Sequence, residues 1–175
     1  MKHQYPPHKI NYLANIHGFK QLGVGKLISV SAVGSLREEI VPGHIVLADQ
    51  FFDRTQNRVS TFFDELAVHV SFGEPVCSGL RRSLVESAQR LEFVYHDGGC
   101  YVCMQGPAFS TRAESHFHRS LGASVIGMTN LPEAKLAREA ELCYATIALA
   151  TDYDCWKVEE ASVDVSKIVV TLRNN

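Results

Sequence analysis

Along the chain, segments with the apolar spacing of a helix alternate with segments that have the pattern of a strand. Between residues 10 and 22, apolar side chains recur every three or four positions, which predicts an amphipathic helix that Gly23 caps. Two β-branched runs, residues 26–32 and 44–51, then predict strands. Residues 52–74 show no sustained period, so we expect a long loop there, and long loops in compact domains usually carry function.

The second half of the chain continues the alternation. A helix is predicted over residues 80–91, and one or two strands over 93–105 around the turn at 97–99. A capping box at 111–114 opens a helix that stops at Gly122. A strand at 124–128, a helix opened by Pro132, an apolar strand at 142–151 and a last helix from Ala161 follow. This order predicts an α/β fold: a mixed, mostly parallel central sheet flanked by helices, with ligands at the carboxyl ends of the strands.

Composition narrows the class of protein. The length of 175 residues fits a single domain spanning residues 1–175, and 46% hydrophobic with 21% charged residues is typical of a globular chain. The formal net charge of −2 gives no basic field for nucleic acid or an anionic membrane. No apolar run is long enough for a membrane span, and the start has no signal-peptide pattern, so we expect a cytoplasmic protein.

Cysteine and histidine spacing argues against a metal site. The five cysteines are odd in number and scattered, so reduced thiols are expected. Cys100 and Cys103 form a C-x-x-C pair without a second pair at matching spacing, so we interpret them as strand residues. His116 and His118 fall on different faces of a helix and are interpreted as surface residues. No metal ligand set is predicted.

The segments that follow the predicted strands hold most of the candidate chemistry. Residues 31–35 are small and hydroxylated, which suits an oxyanion, although this segment taken alone favours a plain strand-to-turn link. Asp152 and Asp154 leave a buried strand on the same side, as an acid–base pair or as two helix N-caps. Phe109 and Met128, at neighbouring strand ends, can wall a flat ring. Neither a P-loop nor a G-x-G-x-x-G is present.

Five segments together resemble the 5'-methylthioadenosine phosphorylases, a family of the trimeric purine nucleoside phosphorylases. They are NYLAN at 11–15, GSLREE at 34–39, DQFFDRT at 49–55, GPAFSTRAES at 106–115 and TDYDCW at 151–156. The resemblance covers nearly the whole chain. It implies a nucleoside phosphorylase-like fold and cleavage of methylthioadenosine by phosphate, giving adenine and 5-methylthioribose 1-phosphate. Phosphate is then a co-substrate and no cofactor is needed.

The resemblance also implies roles for individual residues. Asp152 would protonate N7 of the purine as the catalytic acid, and Asp154 would accept from the 6-amino group. The remaining substrate-binding residues would be Phe109, Ser110, Met128 and His69, the last reaching the 5' pocket of a neighbouring subunit in a homotrimer. Phosphate would be bound by Ser31, Ala32 and Thr129.

The sequence also departs from the family. The family's Gly-rich phosphate loop and Arg-His-Gly motif have no counterpart here, the C-terminal helix ends early, at Asn175, and Ala108 replaces a usual arginine. We therefore expect a phosphorylase domain truncated at both ends. Two alternatives to a working methylthioadenosine phosphorylase stay open: a non-catalytic adenine- or nucleoside-binding remnant, and a purine nucleoside phosphorylase of broader specificity, which Asp154 disfavours.

Overall fold

A computed structural model describes residues 4–91 and 93–157. A short 3-10 turn at Pro7–Lys9 precedes the first helix. The helices are α1 Tyr12–Gln21, α2 Ser78–Arg90, α3 Arg112–Ser120 and α4 Asn130–Glu139. The strands are β1 Lys26–Ser35, β2 Ile45–Leu47, β3 Gln50–Arg54, β4 Tyr95–Asp97, β5 Cys100–Met104, β6 Val125–Gly127 and β7 Cys143–Tyr153.

The strands form one mixed sheet in the order β3-β5-β6-β1-β7-β2-β4. Neighbours are parallel in β3/β5, β5/β6, β1/β7 and β2/β4, and antiparallel in β1/β6 and β2/β7. The predicted mixed, mostly parallel sheet is therefore confirmed. β1 and β7 pair along their full lengths, from Lys26 opposite Cys143 to Ser35 opposite Tyr153. Their carboxyl ends consequently lie side by side.

The central strands and helices α1 and α4 share the main core. Buried members include Ile16 of α1, Leu136 of α4, Tyr101 of β5 and Tyr144 of β7. A second buried cluster contains Leu36, Val102, Ile126, Tyr153 and Trp156. This second cluster lies at the carboxyl ends of β1 and β7, beside β6, which begins there because it runs antiparallel to β1.

Helix ends follow the sequence signals closely. Thr111 and Glu114 form the predicted capping box at α3: Oγ1 of Thr111 accepts from the Glu114 N–H at 3.2 Å, and Glu114 accepts from the Thr111 N–H at 2.8 Å. Gly23 and Gly122 take positive φ values of 75° and 76° just after α1 and α3. Glycine adopts that conformation without the steric cost of a side chain, which explains why both helices stop there.

Three predicted segments are placed differently by the structure. The strand expected at residues 44–51 is two strands, β2 and β3, on opposite sides of the sheet centre. The strands around the 97–99 turn are likewise separated: β4 is an edge strand beside β2, while β5 lies between β3 and β6. The long loop begins after β3, at residue 55, instead of at 52. Strand partners are set by contacts between distant parts of the chain, which periodicity does not report.

Two predictions about cysteine and histidine were wrong. Cys77 and Cys143 form a disulfide, so not all thiols are reduced. The Cys77 N–H donates to the Tyr144 carbonyl at 2.8 Å, which brings the start of α2 against the start of β7 across 66 residues of sequence. His118 is buried, with 3% of its surface exposed, because its face of α3 turns towards the sheet; His116 is exposed as expected.

The last predicted helix, from Ala161, lies outside the described residues. Within residues 4–91 and 93–157, no helix is long and apolar enough to cross a membrane.

Candidate active site

Asp152 and Asp154 converge on Gly34 at the ends of β7 and β1. A β-carbon built on Gly34 would lie 3.4 Å from Oδ2 of Asp152 and 3.4 Å from Cβ of Asp154. Gly34 pairs with Asp152 across a register shift in the β1/β7 ladder, and with Ile126 on β6. A glycine at this position therefore leaves room for two carboxylates above the sheet centre.

Asp154 is the more deeply buried carboxylate of the two. Its backbone N–H donates to the Ser35 carbonyl at 3.0 Å, and the Trp156 indole N–H donates to the same oxygen at 2.9 Å. The residue is 4% exposed, and Oδ2 has no hydrogen-bond partner among the described residues. A buried polar atom without a partner is costly, so this oxygen is set up to accept from a ligand. Asp152, which is half-buried, accepts from the Thr151 hydroxyl at 2.7 Å.

His118 of α3 contributes to the electrostatics around Asp154. Neither ring nitrogen has a hydrogen-bond partner in the described part of the chain. Burial holds the pKa of His118 below its usual value; Arg54 lowers it further, and Asp154 and Glu114 act in the opposite sense. The imidazole is therefore neutral at physiological pH and adds no positive charge to the surroundings of Asp154.

Ser31 and Thr129, two of the predicted phosphate residues, meet at the Tyr101 hydroxyl. Ser31 Oγ and Tyr101 Oη are 2.9 Å apart, and hydrogen bonds from Ser31 and Thr129 partly offset the strong upward shift that burial imposes on the pKa of Tyr101. A β-carbon at Gly127 would collide with this hydroxyl. Ala32, the next residue of β1, is exposed on the other face of the strand. The hydroxyls of Ser31 and Tyr101 are thus hydrogen-bonded to each other.

Met128, at the end of β6, packs against the turn that follows β5. A β-carbon at Gly106, where φ is +60°, would lie 2.5 Å from the Met128 sulfur. The Met128 carbonyl accepts from Arg58 Nη1 at 2.7 Å. The side chain of Met128 therefore packs against the turn after β5, and its carbonyl is fixed by Arg58.

Ser110 also lies in this region, whereas Phe109 is turned outward. The Cys155 thiol donates to the Ser110 carbonyl at 3.2 Å, which joins the turn before α3 to the segment after β7. Ser110 Oγ approaches the sulfur of Met104 at 3.9 Å. Phe109 is 44% exposed, so an apolar wall for a ring would be completed only when a ligand covers it.

His69 is not brought to the other predicted residues. It lies exposed in the loop between β3 and α2, in a stretch that also exposes several apolar side chains. These are Val59, Phe63, Leu66, Val68 and Val70. The structure therefore places His69 on an apolar outer surface, away from Asp152 and Asp154.

Two other features lie apart from this site. A surface cavity of about 420 Å³ beside the disulfide is lined by residues that include Pro75, Arg138 and Glu141, and by none of the predicted site residues. Among the described residues, no group of three or more His, Cys, Asp or Glu side chains is arranged to hold a metal ion.

Sequence reasoning missed two side chains that organise the site, Tyr101 and Arg58. Tyr101 sits in an apolar strand and looks like core; only its register opposite Val125 on β6 places its hydroxyl below Gly127 and Thr129. Arg58 lies in a loop without periodicity, where a charged residue normally signifies a solvated surface. The signal available in the sequence was the length of this loop, which indicates that the loop carries function but does not identify the hydrogen-bond partners of Arg58.

Comparison with known proteins identifies the family. The model of the phosphorylase superfamily matches residues 1–173. An S-methyl-5'-thioadenosine phosphorylase from Geobacter sulfurreducens is 58% identical over 99% of this chain, and one from Hyperthermus butylicus is 52% identical over 99%. The chain spans 61% and 63% of the lengths of these relatives.

Solved structures agree with this assignment. Methylthioadenosine phosphorylase from Schistosoma mansoni in complex with adenine superposes with a TM-score of 0.95 and 36% identity, covering 98% of this chain and 67% of that one. A variant of the adenosine/methylthioadenosine phosphorylase from the same organism, in complex with methylthioadenosine, gives a TM-score of 0.93 at 36% identity, covering 98% and 66%. The predicted nucleoside phosphorylase-like fold is confirmed, and the chain belongs to the phosphorylase superfamily.

Proposed function

We propose that this chain binds methylthioadenosine and carries out its phosphorolysis to adenine and 5-methylthioribose 1-phosphate, with phosphate as co-substrate and no other cofactor. The observation that carries the proposal is the pair Asp152 and Asp154, converging on Gly34 at the end of a buried strand. The relatives named S-methyl-5'-thioadenosine phosphorylase, and the relative bound to adenine, support the same substrate class.

The two carboxylates divide the recognition of the purine between them. Departure of the base leaves negative charge on its ring, so a protonated Asp152 beside N7 lowers the barrier as a general acid. Asp154, with a buried oxygen free of partners among the described residues, accepts from the 6-amino group of adenine. A 6-oxopurine would place a carbonyl against that oxygen and leave both acceptors unpaired, so adenine is preferred.

The sugar and phosphate lie on the other side of the site. Met128 supports the ribose, Phe109 and Ser110 line the base pocket, and Ser31, Ala32 and Thr129 contact phosphate. Hydroxyl and backbone donors give phosphate hydrogen bonds but no full positive charge, and two cations that could take over this role, Arg37 and Lys9, are unsuited. Arg37 pairs with Glu39 and donates to the Gly122 carbonyl at 2.7 Å, and Lys9 is exposed. Turnover by this chain is therefore expected to be weak.

A homotrimer in the cytoplasm completes the proposal. The exposed apolar stretch around His69 suits burial against a second copy of the chain, which would bring His69 to the neighbour's 5' pocket. We expect residues 1–175 to act as one domain in this assembly. Sedimentation at micromolar concentration measures the assembly, and a folded monomer under those conditions would contradict it.

A non-catalytic nucleoside-binding protein is the second candidate. The feature that favours it is the engagement of Ser31 with Tyr101, because a hydroxyl already bonded inside the protein is less available to phosphate. A phosphorylase of broader purine specificity has no comparable observation in its favour, since Asp154 selects against 6-oxopurines.

Two measurements test these alternatives. Calorimetric titration with adenine and with hypoxanthine reports purine selectivity; equal affinities would refute the role of Asp154. Adenine release from methylthioadenosine, with and without phosphate, reports catalysis. Selective adenine binding without phosphate-dependent release identifies the non-catalytic candidate, and phosphate-dependent release identifies the phosphorylase.

A further inference from the structure

Arg58 reaches from the long loop after β3 into the ends of two central strands and the start of α4. Its Nη1 donates to the Met128 and Leu131 carbonyls, each at 2.7 Å. Its Nη2 donates to the Gln105 carbonyl at 2.6 Å and to the Met104 carbonyl at 3.3 Å. Nε donates to the Gln105 side chain at 3.2 Å, and Nη1 also lies 3.3 Å from the Tyr12 hydroxyl. One guanidinium thus ties the end of β5 to the end of β6.

The partners of Arg58 differ from those of Arg37 and Arg81. Arg81 pairs with Asp97, and Arg37 pairs with Glu39. Arg58 makes no ion pair with any described residue, and its neighbours are carbonyl, amide and phenol oxygens. Hydrogen bonds from a charged donor are about twice as strong as neutral ones, and the planar fork of five N–H groups fixes their directions. The result is a rigid bridge between the segments that precede Phe109 and Thr129.

The Met128–Thr129 peptide connects this bridge to the phosphate end of the site. Its carbonyl accepts from Arg58 at 2.7 Å, and Thr129 on the other side of the same peptide acts on the Tyr101 hydroxyl by lowering its pKa; that hydroxyl is hydrogen-bonded to Ser31 at 2.9 Å. Hydrogen bonds in a chain polarise one another, so a cation at the carbonyl strengthens the N–H of the same peptide as a donor. The side chain of Met128 is held separately, by its packing against Gly106.

We propose that Arg58 is a positioning residue: it fixes the Met128–Thr129 peptide between the sugar and phosphate sides of the site. The inference rests on the proposed function, because it concerns the pockets assigned there. It also separates the two halves of the ligand. Asp152 and Asp154 are held by β7, Gly34 and Ser35, so adenine binding does not depend on Arg58, whereas binding of the whole nucleoside does.

The test compares two arginine variants that both break bridges to backbone carbonyls. Arg138 is the matched control: it clamps the same loop by donating to the Ser71 carbonyl at 2.6 Å and to the Glu74 carbonyl, and it makes no hydrogen bond to the Met128–Thr129 peptide, Asp152 or Asp154 in the described part of the chain. The affinities of adenine and of methylthioadenosine are measured by calorimetry in phosphate buffer. Arg58→Met should weaken methylthioadenosine about tenfold or more and change adenine less than about twofold. Arg138→Met should leave both affinities within about twofold, whatever it does to Tm.

Arg58→Lys supplies the graded variant. An ammonium keeps the charge but cannot span four carbonyls, so it should recover part of the methylthioadenosine affinity. It also covers the case in which Arg58→Met does not fold. Equal losses for adenine and methylthioadenosine in Arg58→Lys, or no loss for either, would overturn the proposal.

Amide hydrogen exchange keeps the inference separate from the proposed function. If the unsubstituted chain binds neither ligand, the proposed function fails, but the effect of Arg58 on the peptide is still measurable. Exchange at the Thr129 amide should accelerate about tenfold in Arg58→Lys and stay unchanged in Arg138→Met, relative to the exchange of core amides in β7. Unchanged Thr129 exchange in Arg58→Lys would refute the positioning role.

Discussion

The two ends of the candidate site are in different states of completion. At the proposed purine end, Asp154 is buried and its Oδ2 has no hydrogen-bond partner among the described residues, so this oxygen can accept a hydrogen bond from a ligand. At the proposed phosphate end, the hydroxyls of Ser31 and Tyr101 are already hydrogen-bonded to each other. The first end offers an unpaired acceptor to a neutral base, whereas an anion at the second end would have to break an internal hydrogen bond.

The difference has an origin in chain topology. Asp152 is one of the last residues of β7 and Asp154 directly follows that strand, while Gly34, against which both pack, lies on the paired strand β1. A single pair of neighbouring strands is therefore enough to build the purine end. Phosphate needs cations, and in this part of the chain the guanidinium close to the Met128–Thr129 peptide is turned onto carbonyls. A neutral ligand can be recognised locally, whereas a charged one needs contributions from other segments.

The largest expected effect comes from supplying cations to the phosphate end. Joining an N-terminal segment that carries the Gly-rich phosphate loop and the Arg-His-Gly motif of the family to this chain should raise phosphate-dependent adenine release about a hundredfold or more. Each charge-assisted hydrogen bond is worth about 1.5–3 kcal/mol, and an arginine provides two. Adenine affinity should change little. The rate of adenine release from methylthioadenosine at several phosphate concentrations measures the effect.

The control for that experiment is the same extended chain with the arginine and histidine of the Arg-His-Gly motif replaced by glutamine. It should fold and bind adenine as well as the cationic form but release no more adenine than the original chain. If the glutamine form is equally active, the gain comes from folding, and the contrast between the two ends is not electrostatic.

A smaller effect is expected at the purine end. Asp154→Asn replaces an acceptor by an amide that can also donate, so hypoxanthine should gain relative to adenine by about 10–100-fold. Asp152→Asn, the adjacent control, should keep most of the preference for adenine while removing the proton donor. Calorimetric titration with both purines measures the ratio. If the two variants have the same selectivity, the division of roles between the carboxylates is wrong.

The sequence predicted the elements that build this site better than their arrangement. The capping box of α3 and the apolar run of β7 are local signals, and both were found within a few residues of their observed bounds. The separation of β4 from β5 was missed because the two glycines between them read as a hairpin turn. In the structure, Gly98 and Gly99 instead have φ values of 92° and 122° and lead from β4, which pairs with β2, directly into β5, which pairs with β3 and β6.

The site residues show the same limit. Asp152 and Asp154 were found because their same-side spacing after a strand has chemical meaning. The burial of His118 and the disulfide of Cys77 could not be found, since both depend on which face of a helix meets the sheet. Arg58 was missed for a related reason: its partners are backbone carbonyls, and a carbonyl is present at every position of a sequence.

Removing the Tyr101 hydroxyl tests whether the phosphate end is internally satisfied. Tyr101→Phe leaves the buried Ser31 hydroxyl without this partner, which should lower the free energy of unfolding by about 1–3 kcal/mol. The double variant Tyr101→Phe/Ser31→Ala removes both groups and should recover most of that loss. Urea denaturation measures both. A double variant as unstable as the sum of its single changes would show that the two hydroxyls are not coupled, and adenine affinity should stay constant throughout.

The smallest expected effect concerns the charge of His118 at the purine end. Burial and Arg54 hold the pKa of His118 below its ordinary value, against the opposing influence of Asp154 and Glu114. The unfolded chain therefore binds a proton that the folded chain does not, and stability is lost as the pH falls through the ordinary histidine value of about 6.5.

The variant His118→Phe should lose less stability in acid than the unsubstituted chain. The drop in Tm between pH 7.5 and pH 5.5 should be smaller in the variant by at most a few degrees, since 1 kcal/mol corresponds to about 2–4 °C in a chain of this size. His116→Phe, on the exposed face of the same helix, should leave the pH dependence of Tm unchanged. Identical pH profiles for His118→Phe and the unsubstituted chain would mean that His118 titrates as if it were in water, and that the purine end carries no buried neutral imidazole beside Asp154.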